Sequence, residues 1–298
     1  MSLSIGIEIE GVAMNRVGSS APFPTRTEVQ LRLLSDALDD AGLESRVYLP
    51  STTRGSGPDY SIWNVTMDVT VSEATSGSEA EDSKFRRRFG FELISPVFRG
   101  IENNAWMNQL RAGISSINRV VRWKANRSTG LHVHVGRDVG SLKYSLLEVK
   151  KIAMLYCRFE GAIDEFHPGH RSFGNDYIMS NRNNALLDGL SISQVYERIF
   201  RANSILEVCQ VVNYCDDEYT YDGYNDSRFF KVNFTSLQKH DTIEFRQHEG
   251  TTDPEQMIKW ARFIIKFVGF AMVAPLPVIT APGESFQHLH QLIGPREQ

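Results

Sequence analysis

Three short segments of the chain alternate bulky apolar residues with ionisable ones. They span residues 5–11, 130–136 and 242–246. Alternate residues of a β-strand share one face, so each segment is expected to place two ionisable groups on one side and aliphatic or aromatic side chains on the other. The pattern predicts three strands that together form a polar wall over a buried core.

The remaining periodicity predicts further strands and several helices. Residues 46–49, 60–71 and 89–98 are typical of strands, and 229–235 with 241–247 resembles a hairpin. Apolar stripes predict helices over residues 102–121, 142–166 and 194–212, a last helix opening at Pro254, and an early helix with a capping box of Thr25 and Glu28. Strands interrupted by helical pairs favour an α+β fold, with a twisted, mainly antiparallel sheet and helices packed on one face. No internal repeat or clear linker divides residues 1–298, so we expect one catalytic domain.

Composition narrows the classes of protein but does not select one. The 298 residues are 41% hydrophobic and 23% charged, with a net charge of -4. No Lys/Arg stripe indicates nucleic-acid binding, and no apolar run is long enough to span a bilayer. The odd cysteine count and the lack of a C-x-x-C spacing argue against a disulfide scaffold and a structural zinc site. The chain opens without a signal-peptide pattern, so we expect a cytoplasmic location.

The ionisable residues of the three alternating segments form an unusual set. They are Glu8 with Glu10, His132 with His134, and Glu244 with Arg246. Any one pair alone is also what a half-buried strand shows to water. Solvent faces usually mix Lys, Thr, Ser and Gln, whereas this set is typical of a site for metal ions and phosphate. Crowded carboxylates repel one another, and a metal ion among them is the simplest explanation.

Five motifs, which follow one another along the chain in the same order as in the family, resemble those of the amidoligases, a family related to glutamine synthetase and to the glutamate-cysteine ligases. The motifs are Gly6-Ile7-Glu8-Ile9-Glu10, Trp63-Asn64-Val65-Thr66-Met67-Asp68, Phe91-Glu92-Leu93-Ile94-Ser95-Pro96, Ser128-Thr129-Gly130-Leu131-His132-Val133-His134 and Thr242-Ile243-Glu244-Phe245-Arg246-Gln247-His248. The similarity runs from residue 5 to about residue 270. Each motif alone is weak, but together they are specific.

The resemblance implies a glutamine-synthetase-like catalytic domain and an ATP-dependent joining of a carboxylate to an amine. A phosphoryl group from ATP would activate the acid as an acyl phosphate, and the amine would displace phosphate to leave an amide. By position, the divalent-metal ligands would be Glu8, Glu10, Glu92, His132 and Glu244, and Arg246 would meet the transferred phosphate. Hard oxygen ligands suit Mg²⁺ or Mn²⁺, which agrees with the interpretation of the polar wall.

Other residues receive roles through the same resemblance. Asp68 is the candidate to bind the ammonium or to take the proton of the amine, although in glutamine synthetases the comparable acidic motif precedes the Glu-x-Glu strand. Arg171 and Tyr177 lie where the family has an Arg and a Tyr, so either is a candidate contact for nucleotide or substrate, and ordinary loop packing is the alternative. His134 is either a structural histidine or a residue that orients a metal ligand.

Two other classes of function remain open at this point. A His-x-His pair with nearby carboxylates also suits a zinc-dependent hydrolase, although five ligands exceed what one zinc ion needs. A catalytically silent binding protein on the same scaffold is the second alternative. The substrates are expected to be small-molecule or peptide acids and amines, and loops at residues 72–88, 173–184 and 213–225 are expected to determine which ones bind. The sequence is also compatible with a homo-oligomer.

Overall fold

The structure, a computed structural model, describes residues 2–14, 26–49, 57–72, 88–138, 143–215 and 226–294. The chain folds into two compact units. The first unit comprises residues 5–132 and 249–259, and the second comprises residues 1–4, 133–248 and 260–298. No helix among the described residues is long and apolar enough to cross a membrane.

In the first unit, a sheet is covered by two helices. The strands are β1 (Leu3–Met14), β2 (Ser45–Val47), β3 (Trp63–Thr66), β4 (Arg88–Ile94), β5 (Arg122–Lys124) and the start of β6 (Gly130–Arg137). The helices are α1 (Thr27–Asp39) and α2 (Ala105–Val120). Strand order is β2-β3-β4-β1-β6, with β5 also paired to β1. Pairing is parallel between β2 and β3 and antiparallel between β1 and β4, β1 and β5, and β3 and β4.

Apolar residues at alternate positions of β1 contribute to the core of this unit. Ile5, Ile7 and Ile9 are almost fully buried, and α1 packs on β2, β3 and β4. Gly11 is required by packing, because a Cβ there would lie 2.5 Å from Cε3 of Trp123 and 2.8 Å from Cζ of Phe91. The apolar side chains of β1 therefore face the core, and Glu8 and Glu10 share the alternate positions of the strand.

The second unit is built around one buried helix. Its helices are α3 (Leu146–Asp164), α4 (Gly169–Ser172), α5 (Ile192–Arg201), α6 (Ile205–Val212), α7 (Ser236–Lys239), most of α8 (Pro254–Val273), α9 (Leu276–Ile279) and α10 (Phe286–Ile293). Its strands run in the order β6-β8-β7, with β7 at Val232–Asn233 and β8 at Thr242–Glu249. Ser145 and Glu148 form the capping box that begins α3. The α5, α6, α9 and α10 helices pack around α3.

The observed elements confirm the predicted α+β class with a mainly antiparallel sheet. Several predicted boundaries are wrong. The strand predicted over 60–71 is only β3, because the chain turns at Asp68, whose carboxylate accepts hydrogen bonds from Thr70. The helix predicted over 194–212 is two helices, because Ser204 caps α6. The predicted hairpin has α7 between its strands, and α9 and α10 follow the helix predicted to be last.

Other predictions are not tested by the residues that the structure describes. Thr25 and most of the loops at 72–88 and 213–225 lie outside the described residues. The Arg26 position that precedes α1 makes no side-chain cap hydrogen bond. The expectation of a single catalytic domain over residues 1–298 stays a prediction.

Candidate functional site

An acidic and histidine cluster lies on three neighbouring strands of the first unit. Register pairs Glu10 of β1 directly with Glu92 of β4, and His132 belongs to β6. Each of these residues offers one ligand atom, and the three atoms lie within 4.8 Å of one another. Glu10 and His132 are each 4% exposed, and Glu92 is half-buried. We call Glu8, Glu10, Glu92 and His132 the Glu/His cluster.

Hydrogen bonds orient the side chains of the Glu/His cluster. Oε2 of Glu10 accepts from the backbone N–H of Gly130 at 2.6 Å, and its Oε1 lies 3.5 Å from Nε2 of His132. The other ring nitrogen of His132, Nδ1, lies 3.2 Å from Oε2 of Glu8. The imidazole therefore lies against two carboxylates, one on each ring nitrogen. Two carboxylates placed opposite each other on adjacent strands disfavour the folded state unless a proton or a cation lies between them.

The second unit holds a pair of charged groups on β8. Nη1 of Arg246 donates to Oε1 of Glu244 at 2.6 Å, and Nδ2 of Asn233 donates to Oε2 at 2.7 Å. Glu244 is 5% exposed. Asn233 lies directly across β7–β8 from Glu244. Both carboxylate oxygens thus have a charged or amide donor, which fixes the side chain of Glu244.

His134 belongs to the surroundings of this pair. Its Nδ1 lies 3.0 Å from Oγ1 of Thr242, and its Nε2 lies 3.8 Å from Oε1 of Glu244. The Oγ1 of Thr242 lies 2.9 Å from Oγ of Ser236. The observed contacts place His134 next to Glu244, where it can orient that carboxylate.

Arg171 supports the backbone that carries Arg246. Arg171 is 3% exposed, and its guanidinium donates to the carbonyl oxygens of Arg246 at 2.5 Å and of Gln247 and His248 at 3.2 Å each. These bonds hold the end of β8 from the side of α4. The observed contacts give Arg171 a positioning role, and its predicted contact with nucleotide or substrate stays a prediction.

Tyr177 reaches the same neighbourhood through an aromatic ring. It is 49% exposed and packs edge-on against Phe229, with ring centroids 5.2 Å apart. The guanidinium carbon of Arg246 lies 5.9 Å from the centre of the same Phe229 ring. Tyr177 therefore supports the ring beside Arg246 and keeps an exposed edge, while its ligand contact stays a prediction.

Asp68 is placed by a turn. Its Oδ1 accepts from both the backbone N–H and the hydroxyl of Thr70, at 2.6 Å each. This short-range bonding is a sufficient structural reason for an aspartate here. Among the described residues, Asp68 is not a member of the three-residue groups that could hold a metal ion. Its proposed role toward the amine stays a prediction.

Sequence patterns did not indicate two buried polar residues of the second unit, Lys231 and Asn233. Asn233 lies in a strand of only two residues, which is too short to show a regular spacing in the sequence. Only the register of β7 against β8 brings its amide to Glu244. Lys231 is also unexpected, since it is 1% exposed and bound by two carboxylates of α3. An apolar flank on both sides, Phe230 and Val232, is the one signal that could have indicated its burial.

The fold and these clusters define an α+β protein whose sheet strands carry grouped acidic, histidine and arginine side chains. A family profile described as "Putative amidoligase enzyme" matches residues 2–268. The chain belongs to this amidoligase family, a family of ligase-type enzymes. The resemblance inferred from the five sequence motifs is thereby confirmed.

Comparison with solved structures finds glutamine synthetase from Plasmodium falciparum, determined by cryo-electron microscopy. The match has a TM-score of 0.44 and 11% sequence identity, and it covers 91% of this chain. The chain spans about half of that protein, 51% of its length. Comparison with curated proteins gives no match.

Proposed function

We propose that this amidoligase is an ATP-dependent carboxylate–amine ligase that forms an amide through an acyl phosphate. The observation that carries the proposal is the Glu/His cluster, with ligand atoms of Glu10, Glu92 and His132 within 4.8 Å of one another. Membership of the amidoligase family supports the class of reaction. The proposed substrates are a small-molecule or peptide carboxylate and an amine, and the predicted cytoplasmic location and homo-oligomer remain part of the proposal.

The Glu/His cluster fits a divalent cation. Glu10 and Glu92 face each other across antiparallel strands, so their negative charges repel unless they are compensated. Glu8, Glu10, Glu92 and His132 would hold Mg²⁺ or Mn²⁺, since carboxylate oxygens are the ligands these ions prefer. The bound ion would neutralise charge on phosphate oxygens as the phosphoryl group moves. The N–H of Gly130 holds one oxygen of Glu10 and so aims the other.

Arg246 is proposed to meet the transferred phosphate. Its guanidinium is held by Glu244 at 2.6 Å, and its backbone carbonyl is held by Arg171. A planar guanidinium fixed in this way binds phosphate oxygens without first having to be ordered, which favours the charged transition state. The metal-ligand role of Glu244 stays a prediction. Asp68 remains our candidate for the group that binds the ammonium or takes its proton.

Binding of a non-hydrolysable ATP analogue tests the proposal before any acid or amine is known. Calorimetric titration is expected to show binding that requires Mg²⁺ or Mn²⁺. The Glu10→Gln variant, which keeps the shape of the side chain, is expected to weaken this metal-dependent binding by at least about tenfold, since even residues that only support a metal ligand have effects of that size. Glu102→Gln is the matched control, because Glu102 is an exposed residue of the same unit.

Turnover provides the second arm of the test. An acid and amine screen by phosphate release, with hydroxylamine to trap acyl phosphate, is expected to give activity that Arg246→Ala abolishes and Arg262→Ala retains. Arg262 is exposed on α8 of the same unit as Arg246. No nucleotide binding with or without metal, or unchanged turnover in folded Arg246→Ala protein, would contradict the proposal.

A further inference from the structure

A cavity lies within the second unit. It has a volume of about 880 Å³ and is lined by the C-terminal end of α3, the irregular segment at 172–185, and residues next to β7. A volume of this size is typical of pockets for small ligands. Gln247 and Phe245 of β8 point toward α3, since Gln247 bonds Asp164 and Phe245 packs on Tyr156. Because strand residues alternate, the cavity is on the side of β8 opposite Glu244 and Arg246.

The wall of this cavity contains a buried charged triad. Nζ of Lys231 donates to Oε1 of Glu160 at 3.0 Å and to Oδ2 of Asp164 at 2.7 Å. Lys231 and Glu160 are 1% and 2% exposed, and the Asp164 side chain is 22% exposed toward the cavity. Ser180 and the backbone N–H of Arg182 also donate to Glu160. The ammonium of Lys231 is therefore shared by two carboxylates before any ligand arrives.

Charge in the cavity is consequently negative. Asp164, Asp176 and Lys231 line the cavity, and Lys231 is also paired with Glu160 behind the wall, so three carboxylates are counted against one ammonium. Asp176 is exposed to solvent. Burial, together with a smaller contribution from the charge of Glu160, raises the pKa of Asp164 to about 6 in spite of the hydrogen bond and charge of Lys231. A carboxylate with a raised pKa is one whose negative charge is incompletely compensated, and a cation bound beside it would compensate it.

Aromatic rings complete the lining. Phe173, Tyr214 and Phe230 contribute to the cavity wall, and Phe173 is 78% exposed. Ring faces attract cations, and carboxylates bind ammonium groups through charge-assisted hydrogen bonds. A cavity with excess negative charge and aromatic walls therefore favours a positively charged organic group over an anionic or a neutral one.

We propose that this cavity is a binding site for a ligand that carries a protonated primary amine, held by Asp164 and Asp176 beside the aromatic wall. None of the described residues that line the cavity belongs to the Glu/His cluster or to the Glu244–Arg246 pair. Binding there needs neither nucleotide nor a metal ion.

Butane-1,4-diamine is a suitable probe, and butane-1,4-diol is its uncharged counterpart. NMR titrations at constant ionic strength, without ATP and with a chelator, are expected to show saturable binding of the diamine and none of the diol. Asp176→Asn should weaken diamine binding about two- to fivefold, the size expected of one exposed ion pair. Asp188→Asn, at another exposed aspartate in the same unit, should leave it unchanged.

The pH dependence gives an independent check. Diamine affinity is expected to fall between pH 7.5 and pH 5, because protonation of Asp164 removes one negative charge from the cavity. The groups around that carboxyl are Lys231, Glu160 and Gln247. His167 near the end of α3 does not titrate in this window, because burial, with His248, Arg171 and Lys231, lowers its pKa to about 3. Equal binding of diol and diamine, no saturation by the diamine, or equal effects of Asp176→Asn and Asp188→Asn would overturn the proposal.

Discussion

Replacing Glu92 by glutamine is expected to change stability in opposite directions with and without a metal ion. In the metal-free protein the ligand oxygens of Glu10 and Glu92 lie within 4.8 Å of each other. At an effective dielectric constant of about 20, two unit charges at this distance repel by about 3.5 kcal/mol. His132 lies in the same group and Glu92 is half-buried, so screening reduces the net gain. We therefore expect Glu92→Gln to raise the free energy of unfolding by about 1–2 kcal/mol in a chelator.

Added metal reverses this order. A divalent ion at one hundred times its dissociation constant stabilises the folded state by about 2.7 kcal/mol. The wild type is expected to gain this amount in Mg²⁺ or Mn²⁺, whereas Glu92→Gln, which has lost one anionic ligand, gains much less. Urea unfolding of both proteins in chelator and in metal measures the four free energies. Glu102→Gln is the control for the loss of a negative charge as such.

Two results would refute this reasoning. A Glu92→Gln protein that is less stable than the wild type in chelator would show that the two carboxylates do not oppose each other. Equal metal-dependent gains in both proteins would show that Glu92 is not part of a metal site. The control excludes a general charge effect, because Glu102 is exposed in the same unit and is expected to change neither value by more than about 0.5 kcal/mol.

Two further predictions concern groups outside the Glu/His cluster. Lys231→Met should cost about 3–5 kcal/mol of unfolding free energy at pH 7.5, because it leaves Glu160 and Asp164 without their cation. The raised pKa of Asp164 means that its protonated form favours the folded state, so stability from this group is present at low pH and lost as pH rises through about 6. The loss of unfolding free energy in Lys231→Met, measured by urea unfolding, should therefore be smaller at pH 5 than at pH 7.5. Lys266→Met, at an exposed lysine, is the control, and a loss that does not change with pH would contradict this prediction. In Asp68→Asn, hydroxylamine should still trap acyl phosphate while amide formation falls. Equal loss of both steps would show that Asp68 does not act on the amine.

The sequence was sufficient to predict those strands in which apolar and ionisable residues alternate regularly. A two-residue period in β1, β6 and β8 identified the strands and the ionisable residues that share a face on each, and the family followed from five ordered motifs. Helix ends and irregular segments were harder to predict from the pattern. The helix break before Ser204 and the turn after β3 depend on short-range side-chain hydrogen bonds, which a hydrophobic pattern does not reveal.

The sequence by itself determined which residues carry the candidate chemistry, because alternation on a strand and motif order are properties of neighbours along the chain. Only the tertiary structure decided how they are used. Strand register placed Glu10 opposite Glu92, and packing turned Arg171 toward the carbonyls of β8. It also buried Lys231 between two carboxylates more than sixty residues away along the chain. These contacts join distant segments, and the energy of burial and charge pairing that selects them arises only when the core has formed.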